Sequence, residues 1–173
     1  MVRLVSVCAF VAGLFLLCAG VAFAAVLEGT PRSDRLTGGP GPDKLYGGAG
    51  RDTLDGRGGA DVLRGQGDDD VLFDRAGDDV LWGGEGKDTF GGNPGDDDLL
   101  GGPGDDLMLD DAGSDRFFGG RGDDEISVPG FGPGPPGLAS DPDFIKCGPG
   151  DDAVTAHAVD VVAGDCEEVK VIH

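Results

Sequence analysis

Along this chain a large apolar residue returns every nine positions: Leu36, Leu45, Leu54, Leu63, Leu72, Leu81, Phe90, Leu99, Met108, Phe117 and Ile126. An aspartate stands two places before each, and the positions between units are mostly glycine and charged residues. Read from Gly29, eleven nonapeptides run without insertion to Ser127, with Asp sixth and the apolar residue eighth. A fixed period over so many units is the signature of a repeat architecture, in which each unit buries its apolar side chain only by stacking on its neighbours. Within a unit, six Gly-rich residues predict a turn, and the three centred on the apolar residue predict a minimal strand. Nine residues do not close a ring, but two nonapeptides do. The expected coil carries two short parallel strands and two turns, and successive coils stack about 4.8 Å apart. The expected fold is therefore all-β, a solenoid whose thin interior is shared by two facing sheets.

The period breaks at residues 128–137, VPGFGPGPPG, where Gly and Pro predict an extended or turn-like loop that cannot join a sheet interior. It resumes in a shifted frame, with Asp143 sixth and Ile145 eighth, then Asp152 sixth and Val154 eighth. Residues 138–173 thus read as degenerate repeats leading into a C-terminal cap, as the uncovered end of a stacked array requires. The repeat array itself falls within residues 25–127.

Residues 1–24 read as a signal peptide: Arg3, then an uncharged apolar run from Leu4 to Ala22, then the small-x-small site Ala22-Phe23-Ala24. The run is nearly long enough to span a bilayer, so an uncleaved anchor is the alternative. Cys8 and Cys18 would leave with the leader. The remaining pair, Cys147 and Cys166, reads as a disulfide in an exported protein. Zinc is disfavoured, because only His157 and His173 are present and no metal-type spacing joins them to the cysteines.

Composition sharpens the picture. With 33 acidic against 13 basic residues the formal charge is −20, which excludes nucleic acid and anionic membranes as natural partners and drives the chain apart unless cations neutralise it. Stacking brings the sixth-position carboxylates of successive coils together: Asp34, Asp43, Asp52, Asp61, Asp70, Asp79, Asp88, Asp97, Asp106, Asp115 and Asp124, with Asp152 in the shifted frame. A hard divalent ion suits such rows, since Ca²⁺ takes six to eight oxygens from carboxylates and carbonyls, whereas Mg²⁺ demands rigid octahedral geometry. Glycines in the turns let carbonyl oxygens face a shared ion with no Cβ in the way.

Gly38-Gly39-Pro40-Gly41-Pro42-Asp43-Lys44-Leu45-Tyr46 matches GGxGxDxUx, and full matches recur from Gly47, Gly83, Gly101 and Gly119. In this the chain resembles the RTX or haemolysin-type calcium-binding repeats. The resemblance implies a right-handed parallel β-roll with Ca²⁺ between the turns, the sixth-position aspartates giving carboxylate ligands and the Gly-rich turns giving carbonyls. The tail from Cys147 is similar to the closing segment of small secreted bacterial calcium-binding repeat proteins, and predicts a short disulfide-stapled cap. Odd-numbered repeats three, seven, nine and eleven keep every motif glycine. On the even edge only repeat two does, with Arg57, Asp74-Arg75, Asn93 and Asp110-Asp111 standing in the others. Calcium is therefore expected to fill the odd edge more completely.

Ninth-position residues point outward, so Tyr46, Arg64, Trp82, Leu100 and Phe118 should form one column on the even strands. Such a column is either a recognition face for a polysaccharide or protein, or the seat onto which the Pro/Gly loop with Phe131, or the C-terminal segment, folds back. The second is favoured, because a cap needs somewhere to pack. No HExxH, GxSxG or CxxC motif supports catalysis. The expectation is a secreted, non-enzymatic protein that binds calcium ions, with no nucleic-acid partner and no membrane insertion once the leader is gone.

Overall fold

In the computed structural model, residues 3–4, 24–92, 94–109, 113–128, 142–157 and 160–172 are described. Of the expected leader only Arg3–Leu4 and Ala24 fall among them, and the loop 128–137 lies outside apart from Val128. The described residues form an all-strand solenoid of two facing sheets. One sheet stacks Val26–Glu28, Lys44–Gly48, Val62–Gly67, Val80–Glu85, Asp98–Pro103, Arg116–Arg121, Phe144–Lys146 and Val161–Val162, with Arg3–Leu4 added antiparallel at its edge. The other stacks Arg35–Thr37, Thr53–Asp55, Val71–Phe73, Thr89–Gly91, Leu107–Leu109, Glu125–Ser127, Ala153–His157 and Glu168–Ile172. Every other pairing is parallel, and the chain alternates between the sheets so that each coil adds one strand to both.

The repeat sets the register. Leu45 pairs with Leu63, Leu63 with Leu81 and Leu81 with Leu99, while Leu54, Leu72 and Phe90 line up in the facing sheet. All eleven eighth-position residues are buried, and Ile145 and Val154 join them in one continuous core. Burying each such side chain stabilises the fold by about 1.5–3 kcal/mol, so the column of identical contacts is the main apolar term.

After Ser127 the ladder keeps its phase although the chain does not. Phe117 pairs with Ile145 and Ile126 with Val154, and the matching Asp hydrogen bonds span 28 residues in place of 18. The ten extra residues equal the length of the Pro/Gly segment, and the coils before and after it still stack. The sheets also depart from the uniform three-residue strand. In the first sheet most strands run to five or six residues, because the glycine-rich start of the following turn stays paired, Gly48 with Gln66, Gln66 with Gly84 and Gly102 with Gly120. In the second sheet strands from Arg35–Thr37 to Glu125–Ser127 keep three residues.

The C-terminal segment extends both sheets, with Val161–Val162 beside Phe144–Lys146 and Glu168–Ile172 beside Ala153–His157. It does not fold back over the outward column, where Trp82 remains 46% exposed. Phe131, the other candidate cover, lies outside the described residues. Cys147 and Cys166 are joined, with Cα atoms 5.2 Å apart, and tie the last coils together. Cys147 also contributes to the buried core. No helix of the described residues is long and apolar enough to cross a membrane.

Candidate metal centre

The sixth-position aspartates fall into two rows along the edges where the sheets meet. Asp34, Asp52, Asp70, Asp88, Asp106, Asp124 and Asp152 follow one edge; Asp43, Asp61, Asp79, Asp97 and Asp115 follow the other. After Asp34, each carboxylate reaches back one coil. Asp88 Oδ1 accepts the Asp70 N–H at 2.8 Å, Asp106 Oδ1 accepts that of Asp88 at 2.8 Å, and Asp97 Oδ1 that of Asp79 at 2.8 Å. The carbonyls take part as well, since the Asp88 oxygen accepts the Leu107 N–H at 2.9 Å. An aspartate is required here because its short side chain sets an acceptor against the backbone of the preceding coil while its own N–H serves the next.

This use of Oδ1 leaves Oδ2 unspent. The Oδ2 atoms of Asp52, Asp61, Asp70, Asp79, Asp88, Asp97, Asp106, Asp124 and Asp152 are buried with no hydrogen-bond partner among the described residues. An unpaired buried carboxylate oxygen is costly, and a whole row of them demands compensation. The titration behaviour reflects the same cost. Burial, opposed by the backbone hydrogen bond and reinforced by neighbouring carboxylates, raises the carboxyls of Asp61, Asp88 and Asp124 to about 6 and those of Asp70, Asp79, Asp106 and Asp115 to about 7. Asp97 reaches about 8 from the same causes, and Asp52 and Asp152 are also raised by burial.

The first members of each row are different. Asp34 receives the Thr30 hydroxyl at 2.7 Å and the Thr30 N–H at 2.6 Å, bonds that lower its pKa. Asp43 Oδ2 accepts the Gly39 N–H. Their own turns thus satisfy both, and the unmet demand lies in the interior of the array.

The space beside each free oxygen is shaped by glycine. A Cβ built on Gly47 would collide with Asp52 Oδ2 and lie 2.8 Å from the Gly65 carbonyl oxygen; one on Gly65 would collide with Asp70 Oδ2 and lie 2.7 Å from the Gly83 carbonyl. A carboxylate from one turn and a carbonyl from the next coil therefore converge where only a residue without a side chain leaves room. The donors are all oxygen, carboxylate and carbonyl, with no imidazole or thiolate, which is the set a hard cation such as Ca²⁺ takes and softer metals do not. The residues fit the ion.

One residue missing from the candidate ligands belongs with them. Asp143 Oδ1 accepts the Asp115 N–H at 2.9 Å, which makes it the sixth member of the second row. Its place in the shifted nonapeptide frame was the available signal. At the C-terminal end Asp160 and Glu167 take over the same task, accepting the N–H groups of Asp143 at 3.3 Å and Asp152 at 3.1 Å, and no periodic pattern marks either.

The outward column is present. Tyr46, Arg64, Trp82, Leu100 and Phe118 are successive register partners, and the Arg64 guanidinium stands 5.9 Å from the Tyr46 ring centre and 5.3 Å from that of Trp82. A groove of about 310 Å³ opens beside it, lined by Arg64, Gln66, Trp82, Glu85 and Pro103 among others.

Comparison with known proteins bears on the same stretch. No curated protein matches the chain. The model of the RTX calcium-binding nonapeptide repeat matches in four copies, at residues 28–63, 55–90, 64–99 and 91–126. Together the copies cover the two carboxylate rows from Asp34 to Asp124 and more than half of the sequence, and the chain belongs to the RTX calcium-binding nonapeptide repeat family.

Proposed function

We propose that this is a secreted, non-enzymatic protein whose β-roll folds on binding Ca²⁺ and serves a structural or adhesive role outside the cell. The observation that carries the reading is the pair of buried carboxylate rows with their unspent Oδ2 atoms, in a chain of net charge −20. Calcium supplies the positive charge that such rows need, so its binding free energy is also folding free energy. Extracellular calcium is plentiful, and the apolar run from Leu4 to Ala22 before Ala22-Phe23-Ala24 supports export there. The Cys147–Cys166 bond is in keeping with an oxidising compartment. Filling is expected to be more complete on the edge that holds Asp52 to Asp152, where six sixth-position aspartates leave a buried Oδ2 free, against three on the other edge among the described residues. Circular dichroism of residues 25–173 with and without calcium at about pH 8.5, where the row carboxyls are largely ionised, tests the reading: β signal should appear with the ion, and order in excess chelator would refute it.

A second reading draws on the Trp82 groove. An indole 46% exposed beside Arg64, Gln66 and Glu85 suits stacking and hydrogen bonding to a sugar ring, so polysaccharide recognition is the alternative task of this face. Loss of polysaccharide binding on Trp82→Ala, with calcium-dependent folding retained, would favour it.

A further inference from the structure

Two turns of the second row begin with aspartate where the others begin with glycine; the one at Asp110 lies outside the described residues, the other within them. Where the turns stacked on either side carry Gly56 and Gly92, this one carries Asp74. Its side chain enters the space that glycine elsewhere keeps clear, and it is fully buried. One carboxylate oxygen from each of Asp74, Asp79 and Asp97 lies within 4.8 Å of the others, the one such threefold grouping among the described residues. Asp79 and Asp97 are consecutive in the row and nearly inaccessible, at 2% and 1% exposure. Each spends Oδ1 on a backbone N–H, of Asp61 at 2.6 Å and of Asp79 at 2.8 Å, and each keeps a buried Oδ2 with no hydrogen-bond partner.

The nearest basic side chain on the turn is used elsewhere. Arg75 Nε and Nη2 bind the Asp55 carboxylate, both at 2.7 Å, so the guanidinium faces a different carboxylate. Asp74 Oδ1 accepts the Arg75 N–H, which fixes the side chain within its turn. Three carboxylates converge in a buried place, and two of them carry an oxygen that nothing else satisfies.

We propose that Asp74, Asp79 and Asp97 form a three-carboxylate calcium site, distinct from the carboxylate-and-carbonyl arrangement of the other described turns, and that it is the first site to fill as calcium is added. Read as pattern alone, the loss of glycine at this turn weakens the repeat; in three dimensions it adds a ligand. Affinity of an oxygen-donor site for Ca²⁺ rises with its count of anionic ligands, and among the described residues the count is highest here. The inference rests on the calcium-binding function proposed above.

Equilibrium dialysis of the full chain against calcium at low occupancy, where the tightest sites fill first, separates the two. For Asp74→Asn the first-filled site should weaken by at least ~10-fold, as expected for loss of one anionic ligand, with the later sites unchanged. Asp74→Gly installs the residue that the fold accepts at Gly56 and Gly92, so its folding is not in question, and it should show the same loss. Isotherms of both variants that superimpose on the parent would overturn the site while leaving calcium binding intact, as would tighter binding by Asp74→Gly, which would mark Asp74 as an obstruction. A parent chain that takes up no calcium would end both readings together.

Discussion

Asp88→Asn isolates the charge at the centre of the first row. The amide keeps the volume of the carboxylate, and its carbonyl oxygen still accepts the Asp70 N–H that Asp88 Oδ1 holds at 2.8 Å. What changes is Oδ2, buried and without a partner, which becomes an NH₂ donor facing the space beside Gly83. If that oxygen belongs to a bound cation, the substitution removes one partner of a buried charge pair and should cost on the order of 3 kcal/mol in calcium. If the oxygen merely carries a proton, Asn is a near-isostere and the cost falls below about 0.5 kcal/mol. Asp88→Ala should cost a further ~1–3 kcal/mol, because the buried Asp70 N–H then loses its acceptor. Asp105→Asn provides the control: its side chain is exposed, and its Oδ1 contact with the Asp123 N–H survives as an amide contact, so a change within about 0.5 kcal/mol is expected. Urea unfolding in millimolar calcium measures all three. Equal, small effects of Asp88→Asn and Asp105→Asn would refute the assignment of Oδ2 to a cation.

Acid should partly replace the metal. The interior carboxyls sit at about 6 to about 8 in the folded chain against 3.8 unfolded, so folding takes up protons, and that stability is full below about 4 and lost as pH rises through the 6–8 window. In chelator, β signal by circular dichroism should therefore grow as pH falls from about 8 to about 5; a signal that falls instead would contradict the burial of the rows. Calcium added to the acid-folded form should release protons, measurable in a weakly buffered titration, and little should be released at about pH 8.5. Cutting the Cys147–Cys166 link, which closes a separation of 19 residues, should cost about 3 kcal/mol and show first as faster hydrogen exchange in Ala153–His157 and Glu168–Ile172. Gly84 has φ +120° and a Cβ there would strike the Gln66 backbone, so Gly84→Ala should lower stability in calcium by about 2–3 kcal/mol. Gln66→Gly, at φ 87°, should stay within about 1 kcal/mol of the parent, since relief of left-handed strain and added chain entropy nearly cancel.

What the sequence makes legible is whatever the nine-residue period repeats. Leu81 lies in the core and Asp88 at an edge because each stands at a fixed phase, and phase decides which way a side chain points once two units close a coil. The period cannot say how far a strand continues into the next turn, since pairing of Gly48 with Gln66 depends on the backbone of a residue eighteen positions away. It does not foresee Arg57, Gln66, Asp68 and Arg75 at positive φ, which the turn imposes on non-glycine residues through its neighbours. Nor does it expose the role of Asp160 and Glu167, whose value comes only from where the stack ends. Asp74 is the sharpest case: in the linear pattern it is a defect, and its proximity to Asp97 arises from stacking alone.

The edge bonds run one way. The N–H of each aspartate is met by a carboxylate of the following coil, so any coil stays incomplete until the next has docked on its C-terminal side. A chain that folds from its N-terminal side accordingly exposes an unfinished growing end at every step, which only the capping coil can close. Asp160 and Glu167 act as that full stop, which makes the assembly vectorial and ties its completion to arrival of the segment that carries them. A truncated product would carry its own mark of incompleteness.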